Sequence, residues 1–505
     1  MDLFDRLSRS FLSVFLFLAV SVTAAYSFML HAPFRGMDDF TSIVENQDIR
    51  DFKNLPRIFT GSFFGDKSYY RPLVSFTYML EYHAFGLNAF WYNLDNVLLH
   101  IINSFCVFLL IGRLWKNPRT AFWVCLLFAV HPVQWEAVAN ISGRAILLNT
   151  FFVLTAFILF INFNERRRAV SLLGSLFCFL LALFCKESAA ILPVVCLLYL
   201  WLFPSERKKS WFAVVPFFLL VFGFILLRRQ LGITELFGWG SLEALMFGVL
   251  TFARGVITYL RLFVFPSDLY FDRSLKVFTA FTDPQAIGAI LFWLASLCLF
   301  LKNFRKIDGK VNFLVLWFLV ELAPVSQIVT SLGVQPGFIS LAEHFLYVPS
   351  IAMLTILVIG AQHLWRLNEE RKFTSPSVSK IALAGILAFF YLTTIQQTLY
   401  ARNELSMLKR SVDMQPFNSR VQYSIGMYYV RRAMFPEAEI YFRQAALIDP
   451  WNVRTRIALG KSLCDQGRYV EGMAVYSAIR NPGHFEPLLR ENMRLSQIIL
   501  NEKTR

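Results

Sequence analysis

Long apolar runs separated by short polar connectors fill about the first 400 residues of the chain. A membrane-spanning helix needs about 20 consecutive apolar residues, and eleven runs meet or approach that length. They lie at 11–30, 91–112, 120–135, 143–162, 169–185, 188–204, 211–227, 285–301, 311–329, 345–365 and 380–400. A further run, 246–265, is interrupted by Arg254 and Arg261. The pattern predicts an all-α, polytopic membrane protein with about eleven spans.

The first run is the one that could be mistaken for a signal peptide. It follows Arg6 and Arg9, but it lacks a convincing small-residue cleavage site, since Ala24 and Ala25 are followed by Tyr26. We interpret it as a retained first helix, with a signal peptide as the weaker alternative.

Six basic clusters between the runs predict the orientation. Cytoplasmic loops of membrane proteins carry an excess of Lys and Arg, and this rule places the clusters at 6–9, 113–119, 166–168, 207–209, 302–310 and 366–372 inside. Segment 228–284 then stays outside, and 246–265 is re-entrant or interfacial, because a charge at the bilayer centre costs several kcal/mol. The N-terminus is inside and the C-terminus outside. If 246–265 spans, everything beyond it inverts.

The composition becomes polar after residue 403. Residues 415–418 (Gln-Pro-Phe-Asn) recur as 449–452 (Asp-Pro-Trp-Asn), and Gly426 recurs as Gly460, at an offset of 34. A 34-residue helix–turn–helix period is typical of tetratricopeptide repeats. We therefore predict a multi-span membrane domain at 1–402 and a small repeat domain at 403–505. The repeats are either a structural cap or a docking surface for an acceptor polypeptide.

Composition excludes several classes of protein. Hydrophobic residues make up 56% of the chain and charged residues only 16%, whereas a soluble domain is about a quarter charged. The net charge of +15 comes from short clusters between apolar runs, which favours membrane loops over nucleic-acid binding. The 7 Cys form no CxxC pair, so we expect neither a metal cluster nor a disulfide framework.

The predicted topology collects ionisable side chains on the outer side. The long first outer loop, 31–90, begins with Asp38 and Asp39 close to the bilayer. Charged groups at a membrane edge mark functional sites, although a helix-tethering salt bridge is an equally good explanation for any single one. The further outer residues are His131, Glu136, Arg144, Lys186, Glu187, Arg228, Arg229, Asp272, Glu343, His344 and Tyr347.

These residue types favour one kind of chemistry. Lys and Arg at a membrane edge suit a lipid-anchored phosphate, and a carboxylate can remove a proton from an attacking hydroxyl. The sequence has no HExxH motif, Walker lysine loop or GxSxG elbow. We expect group transfer from a lipid phosphate outside the cytoplasm. Two acids are compatible with a divalent cation, but two ligands are too few to assign one.

Several segments together resemble the transmembrane and tetratricopeptide-repeat-containing O-mannosyltransferases. The similarity covers nearly the whole chain, with the repeats in the same C-terminal position. The matching segments are 37–50 around the two acids, 64–73 with Tyr70, Arg71 and Pro72, 96–100, 128–138, 141–144, Lys186 with Glu187, and 343–350.

The resemblance implies a C-type glycosyltransferase fold and an inverting transfer of mannose from a polyprenyl-phosphate donor to Ser or Thr of a protein. Asp38 or Asp39 would be the general base. Positive side chains would bind the donor phosphate, namely Arg144, Lys186, Arg228 and Arg229. The remaining residues would shape the site, namely Arg71, His131, Glu136, Glu187, Asp272, Glu343, His344 and Tyr347. The partners would be the lipid-linked donor and an acceptor polypeptide, without nucleic acid.

The short repeat array favours a bacterial relative in the inner membrane with a periplasmic active site, and a eukaryotic member would lie in the endoplasmic reticulum membrane. Three other functions stay open at this point. The sugar could pass to a glycolipid or envelope glycan, or the chain could be a transporter or flippase for lipid-linked sugars. A transporter should carry polar groups through the bilayer and on both faces. A membrane scaffold would explain the repeats but not Asp38, Asp39, Arg144 and Lys186.

Overall fold

The computed structural model describes residues 8, 10–64, 69–203, 210–233, 241–328, 333–335, 337–372 and 374–503. Residues 65–68 of the predicted motif and the basic cluster 207–209 lie outside the described residues. The chain forms two compact units, and each contains more than one segment. The larger unit comprises Met1–Leu269, Phe278–Leu332 and Glu343–Arg402, and the smaller comprises Tyr270–Val277, Gly333–Ala342 and Asn403–Arg505.

The larger unit is helical. Its helices are α1 (Phe11–Tyr26), α2 (Gly36–Asp39), α3 (Leu55–Thr60), α4 (Pro72–Phe85), α5 (Ala89–Trp115), α6 (Pro118–Val130), α7 (Trp135–Ala139), α8 (Arg144–Arg166), α9 (Ala169–Leu183), α10 (Leu192–Leu202), α11 (Val215–Gln230), α12 (Leu242–Val264), α13 (Pro284–Asn303), α14 (Gly309–Glu321), α15 (Pro349–Arg371) and α16 (Pro376–Ala401).

Local sequence explains where the long helices begin. Asn88 caps α5 by accepting the Phe90 N–H, and Asn117 caps α6 with Pro118 at the first helical position. Ser375 does the same for α16. Such side chains satisfy backbone N–H groups that have no partner inside the helix, and proline at the first position costs no hydrogen bond.

Within the described residues, eight helices are long and apolar enough to cross a membrane, and the bent pair Pro118–Val130 with Pro132–Ala139 makes a ninth if it is one span. The protein is therefore an integral membrane protein of the predicted all-α, polytopic class. The predicted count of about eleven spans is not confirmed. The runs at 169–185, 188–204 and 311–329 form shorter helices, and a 15-residue helix such as α9 reaches roughly 22 Å, less than the ~30 Å hydrocarbon core.

Helix α12 contains the run interrupted by two arginines, and it meets the length and composition of a span. Both ends of α12 contact other segments of the larger unit. The rings of Phe247 and Phe281 lie 4.7 Å apart, so its first half packs on the segment that leads into α13. Its end is bound by His131, whose Nε2 lies 3.1 Å from the Phe263 carbonyl oxygen. The re-entrant or interfacial placement of 246–265 stays a prediction.

The smaller unit combines a sheet with a helical array. The antiparallel strands β1 (Ser274–Lys276), β2 (Gly333–Gln335) and β3 (Phe338–Ser340) are ordered β1–β3–β2, with Ser274 opposite Ser340. The helices are α17 (Glu404–Met414), α18 (Ser419–Val430), α19 (Phe435–Ile448), α20 (Val453–Asp465), α21 (Tyr469–Ser477) and α22 (Glu486–Lys503). The unit takes in two loop segments as well as the predicted repeat domain, 403–505.

The helices of the smaller unit recur at the predicted offset. Helices α18 and α19 begin 34 residues before α20 and α21, respectively. A Cβ atom on Gly426 would lie 2.4 Å from the Phe442 ring, and one on Gly460 would lie 2.4 Å from the Tyr476 ring. Each glycine therefore allows the two helices of its pair to approach closely, which explains why glycine stands at both positions.

Candidate active site in the larger unit

The two adjacent acids of segment 31–90, the predicted first outer loop, have different surroundings. Asp38 and Asp39 lie at the end of α2, which opens with Gly36 at a φ of 63°. Asp38 is exposed, whereas Asp39 is 2% exposed. One Asp39 carboxylate oxygen accepts the Arg35 N–H at 2.9 Å and the other accepts the Ser142 N–H at 3.0 Å. Asp39 therefore ties the first loop to the turn before α8, and Asp38 faces outward.

Burial raises the pKa of the Asp39 carboxyl to about 6, against the opposing effect of the Arg35 charge and of the two backbone N–H groups. The neighbouring Asp38 carboxylate adds to the rise. Removing a carboxylate from water disfavours its charged form, and this cost outweighs the nearby positive charge here.

Arg35, which the sequence did not single out, holds the same loop from the other side. It is buried, and its guanidinium donates to the carbonyl oxygens of Ala401, at the end of α16, and Ala139, at the end of α7. A further contact reaches the Asn93 side chain at 3.5 Å. Arg35 therefore joins three helices to the loop that carries the two acids.

Arg144 is fully buried, and its N–H groups are engaged by protein. Both of its terminal nitrogens donate to Glu81, at 3.0 and 3.1 Å, and one lies 2.7 Å from an Asp95 oxygen. Its Nε donates to Asn96 at 2.6 Å. This bidentate arrangement joins α4, α5 and α8. It favours a structural role for Arg144 over the predicted phosphate contact.

The turn after α6 meets the segment before α15. The Glu136 carboxylate accepts the His344 N–H at 2.9 Å and lies 3.2 Å from His344 Nδ1. The Trp135 ring nitrogen donates to Glu343 at 2.6 Å. The structure therefore brings together two pairs of residues, and the members of each pair lie 208 positions apart in the chain.

His131 and Tyr347 serve packing. His131 is buried, with Nε2 at the Phe263 carbonyl and Nδ1 accepting the Val133 N–H at 3.3 Å. The buried Tyr347 hydroxyl lies 2.7 Å from His100 Nδ1. Both residues connect helices of the larger unit, and their predicted role in shaping a site stays a prediction.

Two cationic side chains, Arg71 before α4 and Lys186 between α9 and α10, belong to one group of charges. Arg71 lies over the Tyr69 ring at 4.6 Å, and its Nη2 is 3.5 Å from a Glu187 oxygen. The other Glu187 oxygen accepts the Tyr70 N–H at 3.1 Å. Burial, together with the charge of Arg71, lowers the pKa of the half-buried Lys186 to about 7, although Glu187 and Glu136 oppose the shift. Arg71, Lys186, Glu187 and Glu136 thus form one electrostatic cluster.

Arg228 and Arg229 end helix α11. One turn earlier, the Phe224 ring lies 6.0 Å from the Tyr70 ring. Residues four apart share a helix face, so half-buried Arg228 lies on the side of α11 that packs on the Tyr70 segment, whereas Arg229 is exposed. Asp272 lies in the smaller unit, where its carboxylate accepts from Arg420 and Asn418.

A cavity of about 200 Å³ lies within segment 31–90, the predicted first outer loop. Arg71 lines this cavity and also belongs to the electrostatic cluster with Lys186, Glu187 and Glu136. The lining residues are Thr41, Asn46, Asp48, Arg57, Ile58, Gly61, Ser62, Phe63, Phe64, Arg71, Pro72 and Ser75. Among the residues that the structure describes, no three His, Cys, Asp or Glu side chains form a group that could hold a metal ion.

Sequence reasoning missed Arg35, Glu81 and Asp95. Glu81 and Asp95 carried a usable signal, because each interrupts an otherwise apolar helical stretch and a buried acid needs a partner. Arg35 stands four residues before Asp39. This proximity to the two acids was the only sequence signal that could have identified it.

Comparisons with known proteins identify relatives of the chain. No protein-family model matches it. It is 26% identical over 530 residues to protein O-mannosyl-transferase Tmtc3 of Drosophila melanogaster, covering 87% of this chain and 55% of the relative. For human TMTC1 the identity is 27%, covering 82% and 52%, and for mouse TMTC3 it is 23%, covering 87% and 51%. The chain therefore spans about half the length of the curated relatives it matches.

Two solved structures align with most of the chain, with low TM-scores. Archaeal oligosaccharyltransferase AglB from Archaeoglobus fulgidus, in complex with an inhibitory peptide and a dolichol-phosphate, aligns with a TM-score of 0.42 and 15% identity, covering 79% of this chain and 56% of that one. ArnT from Cupriavidus metallidurans, bound to undecaprenyl phosphate, aligns with a TM-score of 0.37 and 13% identity, covering 92% and 79%. The sequence similarity over most of the chain confirms the predicted resemblance to the transmembrane and tetratricopeptide-repeat-containing O-mannosyltransferases.

Proposed function

We propose that this chain is a membrane glycosyltransferase that moves a sugar, mannose in the first instance, from a polyprenyl-phosphate donor to a Ser or Thr hydroxyl of a polypeptide. One observation carries the proposal. An exposed acid, Asp38, is held beside a buried and anchored acid, Asp39, in the same unit as the Lys186–Arg71 cluster. The similarity to named protein O-mannosyl-transferases supports it.

The reaction follows from these groups. The acceptor oxygen attacks the anomeric carbon while Asp38 takes the hydroxyl proton. The bond between the anomeric carbon and the phosphate oxygen breaks, and its electron pair leaves with the polyprenyl phosphate. Attack from the face opposite the leaving group inverts the anomeric configuration. The phosphate gains negative charge in this step, and positive charge held in place there stabilises it.

Lys186 is the residue that we assign to the leaving phosphate, with Arg71 beside it. Both belong to the cluster that includes Glu187, which keeps them close together without a ligand. Arg228 extends the positive charge along α11. Asp39 positions Asp38 through its bonds to Arg35 and Ser142.

We further propose that the reaction takes place on the outer side of the membrane, in the periplasm for a bacterial inner-membrane enzyme. The donor would enter from the bilayer, which suits a substrate with a polyprenyl chain. The acceptor polypeptide would approach from water, where the exposed Asp38 lies. The repeat helices of the smaller unit would provide a surface on which the polypeptide docks.

The test is turnover by the full chain in proteoliposomes. Labelled polyprenyl-phosphate mannose is supplied in the bilayer, and a Ser- and Thr-rich polypeptide is supplied in solution. We expect transfer of label to the polypeptide, with a loss of about 10²- to 10⁴-fold in kcat for Asp38→Asn. Glu45→Gln is the matched control, because Glu45 is another exposed acid of the same loop, and it should keep wild-type turnover.

Two results would overturn the proposal. Asp38→Asn with wild-type turnover would remove the base. Movement of labelled donor across the bilayer without transfer to any polypeptide would identify a flippase instead. The melting temperature of each variant in detergent shows whether a loss of turnover is a loss of fold.

A further inference from the structure

Three charged residues line the cavity in the first outer loop, namely Asp48, Arg57 and Arg71. Arg57 faces Asp48 across 3.9 Å, and Arg71 faces Glu187 across 3.5 Å. The rest of the polar lining is neutral, and it consists of Thr41, Asn46, Ser62 and Ser75. Each arginine has a carboxylate nearby, although Glu187 itself lies outside the lining. Two arginines that already have acidic partners, together with four neutral polar groups, suit an uncharged ligand with many hydrogen-bonding groups better than a free anion.

The shapes of the lining groups suit adjacent hydroxyls. Carboxylate, amide and guanidinium groups are planar and present two hydrogen-bonding atoms side by side. Asp48, Asn46 and Arg57 supply one of each. The Asn46 amide also donates to the Ser42 carbonyl at 3.0 Å and accepts the Asp48 N–H at 2.9 Å, which leaves one N–H and one oxygen lone pair for a ligand. Phe63 and Phe64 add an aromatic wall, with ring centroids 4.6 Å apart. A sugar ring offers neighbouring hydroxyls on its rim and apolar C–H groups on its face, so it matches both features.

The volume limits the ligand to a small one. The cavity measures about 200 Å³, below the ~300–1,000 Å³ of pockets that take drug-sized ligands. Gly61 contributes to the shape, because a Cβ atom there would lie 2.8 Å from the Arg57 carbonyl oxygen. A cavity of this size suits a ligand as small as a single hexose ring.

The position of the cavity relates it to the proposed chemistry. Thr41 lines it and lies one turn after Asp38 on the same helical segment, in which the Ser42 hydroxyl donates to the Asp38 carbonyl at 2.5 Å. Arg71 lines it from the other direction and belongs to the cluster with Lys186. The cavity is therefore bordered by one residue of the segment that carries Asp38 and by one residue of the cluster that contains Lys186.

We propose that this cavity binds the hexose ring of the lipid-linked donor, and that Asp48, Asn46 and Arg57 distinguish its hydroxyl configuration. The inference rests on the proposed function and adds the sugar-binding site and its specificity-determining residues. Asp38 and Lys186 carry the reaction, whereas Asp48 and Asn46 select which hexose is transferred.

The experiment measures binding, so that it does not depend on turnover. The full chain in nanodiscs is titrated with polyprenyl phosphates that carry mannose, glucose or galactose, and with bare polyprenyl phosphate. Wild type should bind one hexose at least 10-fold more tightly than the others. Asp48→Asn should reduce that preference by about 10-fold or more, the size expected from losing hydrogen bonds to a charged group, with bare polyprenyl phosphate bound as before.

Asp51→Asn is the matched control. Asp51 is an exposed acid three residues further along, outside the cavity lining, and its side chain caps a short helical turn by accepting the Lys53 N–H. Asparagine also caps helices, so this variant should keep the full preference. Asn46→Ala is the second variant, and it should reduce the preference even if Asp48→Asn fails to fold.

Three results would overturn the inference. One is an unchanged preference in both Asp48→Asn and Asn46→Ala. Another is an equal loss of affinity for bare polyprenyl phosphate, which would make the cavity a phosphate site. The third is displacement of the donor by a soluble mannosylated peptide more strongly than by the same peptide without sugar, which would assign the cavity to an acceptor sugar. A selective hexose preference without transfer from any donor would refute the proposed function and leave this site standing.

Discussion

The backbone N–H of Arg35 donates to the Asp39 carboxylate at 2.9 Å, while the guanidinium of the same arginine binds the last turn of α16 through the Ala401 carbonyl. One residue thus fixes the buried acid and connects its loop to the final helix of the larger unit. The second Asp39 oxygen accepts the Ser142 N–H, so the loop is held from two directions.

This relationship predicts how Arg35→Gln would change the pH dependence of turnover. The positive charge of Arg35 opposes the burial that raises the pKa of Asp39 to about 6. Without that charge the pKa rises further. If ionised Asp39 supports catalysis, activity rises with pH through about 6 in wild type, and that rise moves to higher pH in the variant.

The control for this prediction is Arg113→Gln. Arg113 pairs with Glu165 at 3.3 Å and stands 18 residues beyond Asp95 on α5, which is roughly 27 Å along the helix. It should leave the pH profile of kcat unchanged. A profile of unchanged shape in Arg35→Gln, with only a lower plateau, would show that Arg35 contributes stability alone.

Much of the architecture follows from the sequence because membrane helices depend on local properties. Apolar runs of sufficient length predicted the helices, and the basic clusters between them predicted an orientation. The three-stranded sheet was not predicted. Each strand has only three residues, too few to show a period of two. Strands β2 and β3 are close in the chain, whereas β1 pairs with β3 across more than 60 residues.

The surroundings of the candidate site residues could not be predicted from the sequence. Sequence placed Arg144 among the phosphate contacts because its partners, Glu81 and Asp95, lie 63 and 49 positions away and only the fold brings them together. Likewise, Asp38 and Asp39 are neighbours that the sequence cannot separate. Burial distinguishes them, since one faces water and the other is enclosed.

The lowered pKa of Lys186 should make the affinity for the donor depend on pH. Burial and the charge of Arg71 lower its pKa to about 7, so the ammonium is lost as pH rises through 7. The sugar-bearing lipid is a phosphodiester whose single negative charge persists throughout this range. We expect its affinity to fall by about 10-fold or more between pH 6 and pH 8.5, the size of one charge-assisted contact.

Lys186→Arg is the matched variant for this measurement, because arginine stays charged throughout the range. Its affinity for the donor should be nearly independent of pH. Equilibrium binding in nanodiscs at several pH values checks both proteins. An equally steep loss of affinity in Lys186→Arg would assign the pH dependence to another group.

A side chain at Gly143 should disturb the turn that carries Ser142. A Cβ atom at this position would lie 2.0 Å from the Ala137 carbonyl oxygen, which belongs to the backbone and cannot rotate away. Gly143→Ala should therefore destabilise the protein by about 1–3 kcal/mol and weaken the Ser142–Asp39 contact. Thermal unfolding in detergent, together with turnover, measures both effects.

Gly223→Ala is the control for the steric prediction. Gly223 lies within α11, and a Cβ atom there would meet nothing within 4 Å. Because glycine in a helix interior costs roughly 0.5–1 kcal/mol relative to alanine, this variant should unfold at the same or a slightly higher temperature. Equal destabilisation by the two substitutions would contradict the steric argument at Gly143.

The smaller unit makes a prediction about membrane topology. Strands β1 and β3 come from loops that flank α13 and α14, yet they fold together with the repeat helices. The ties include the Asp272 carboxylate with Arg420, and the Ser274 N–H with the Gln415 side chain at 3.1 Å. A sheet and helices of one unit must lie in one compartment.

The segments 270–277, 333–342 and 403–505 should therefore lie on the same side of the membrane. Reporters that are active only outside the cytoplasm would be inserted after Asn403, in the loop before β1 and in the 302–310 loop. The first two should agree with each other, and the positive-inside rule places both outside and the third inside. Opposite results at the first two positions would mean that the unit cannot form as described. Agreement of both on the cytoplasmic side would instead make α12 a span and would separate the repeats from the proposed site.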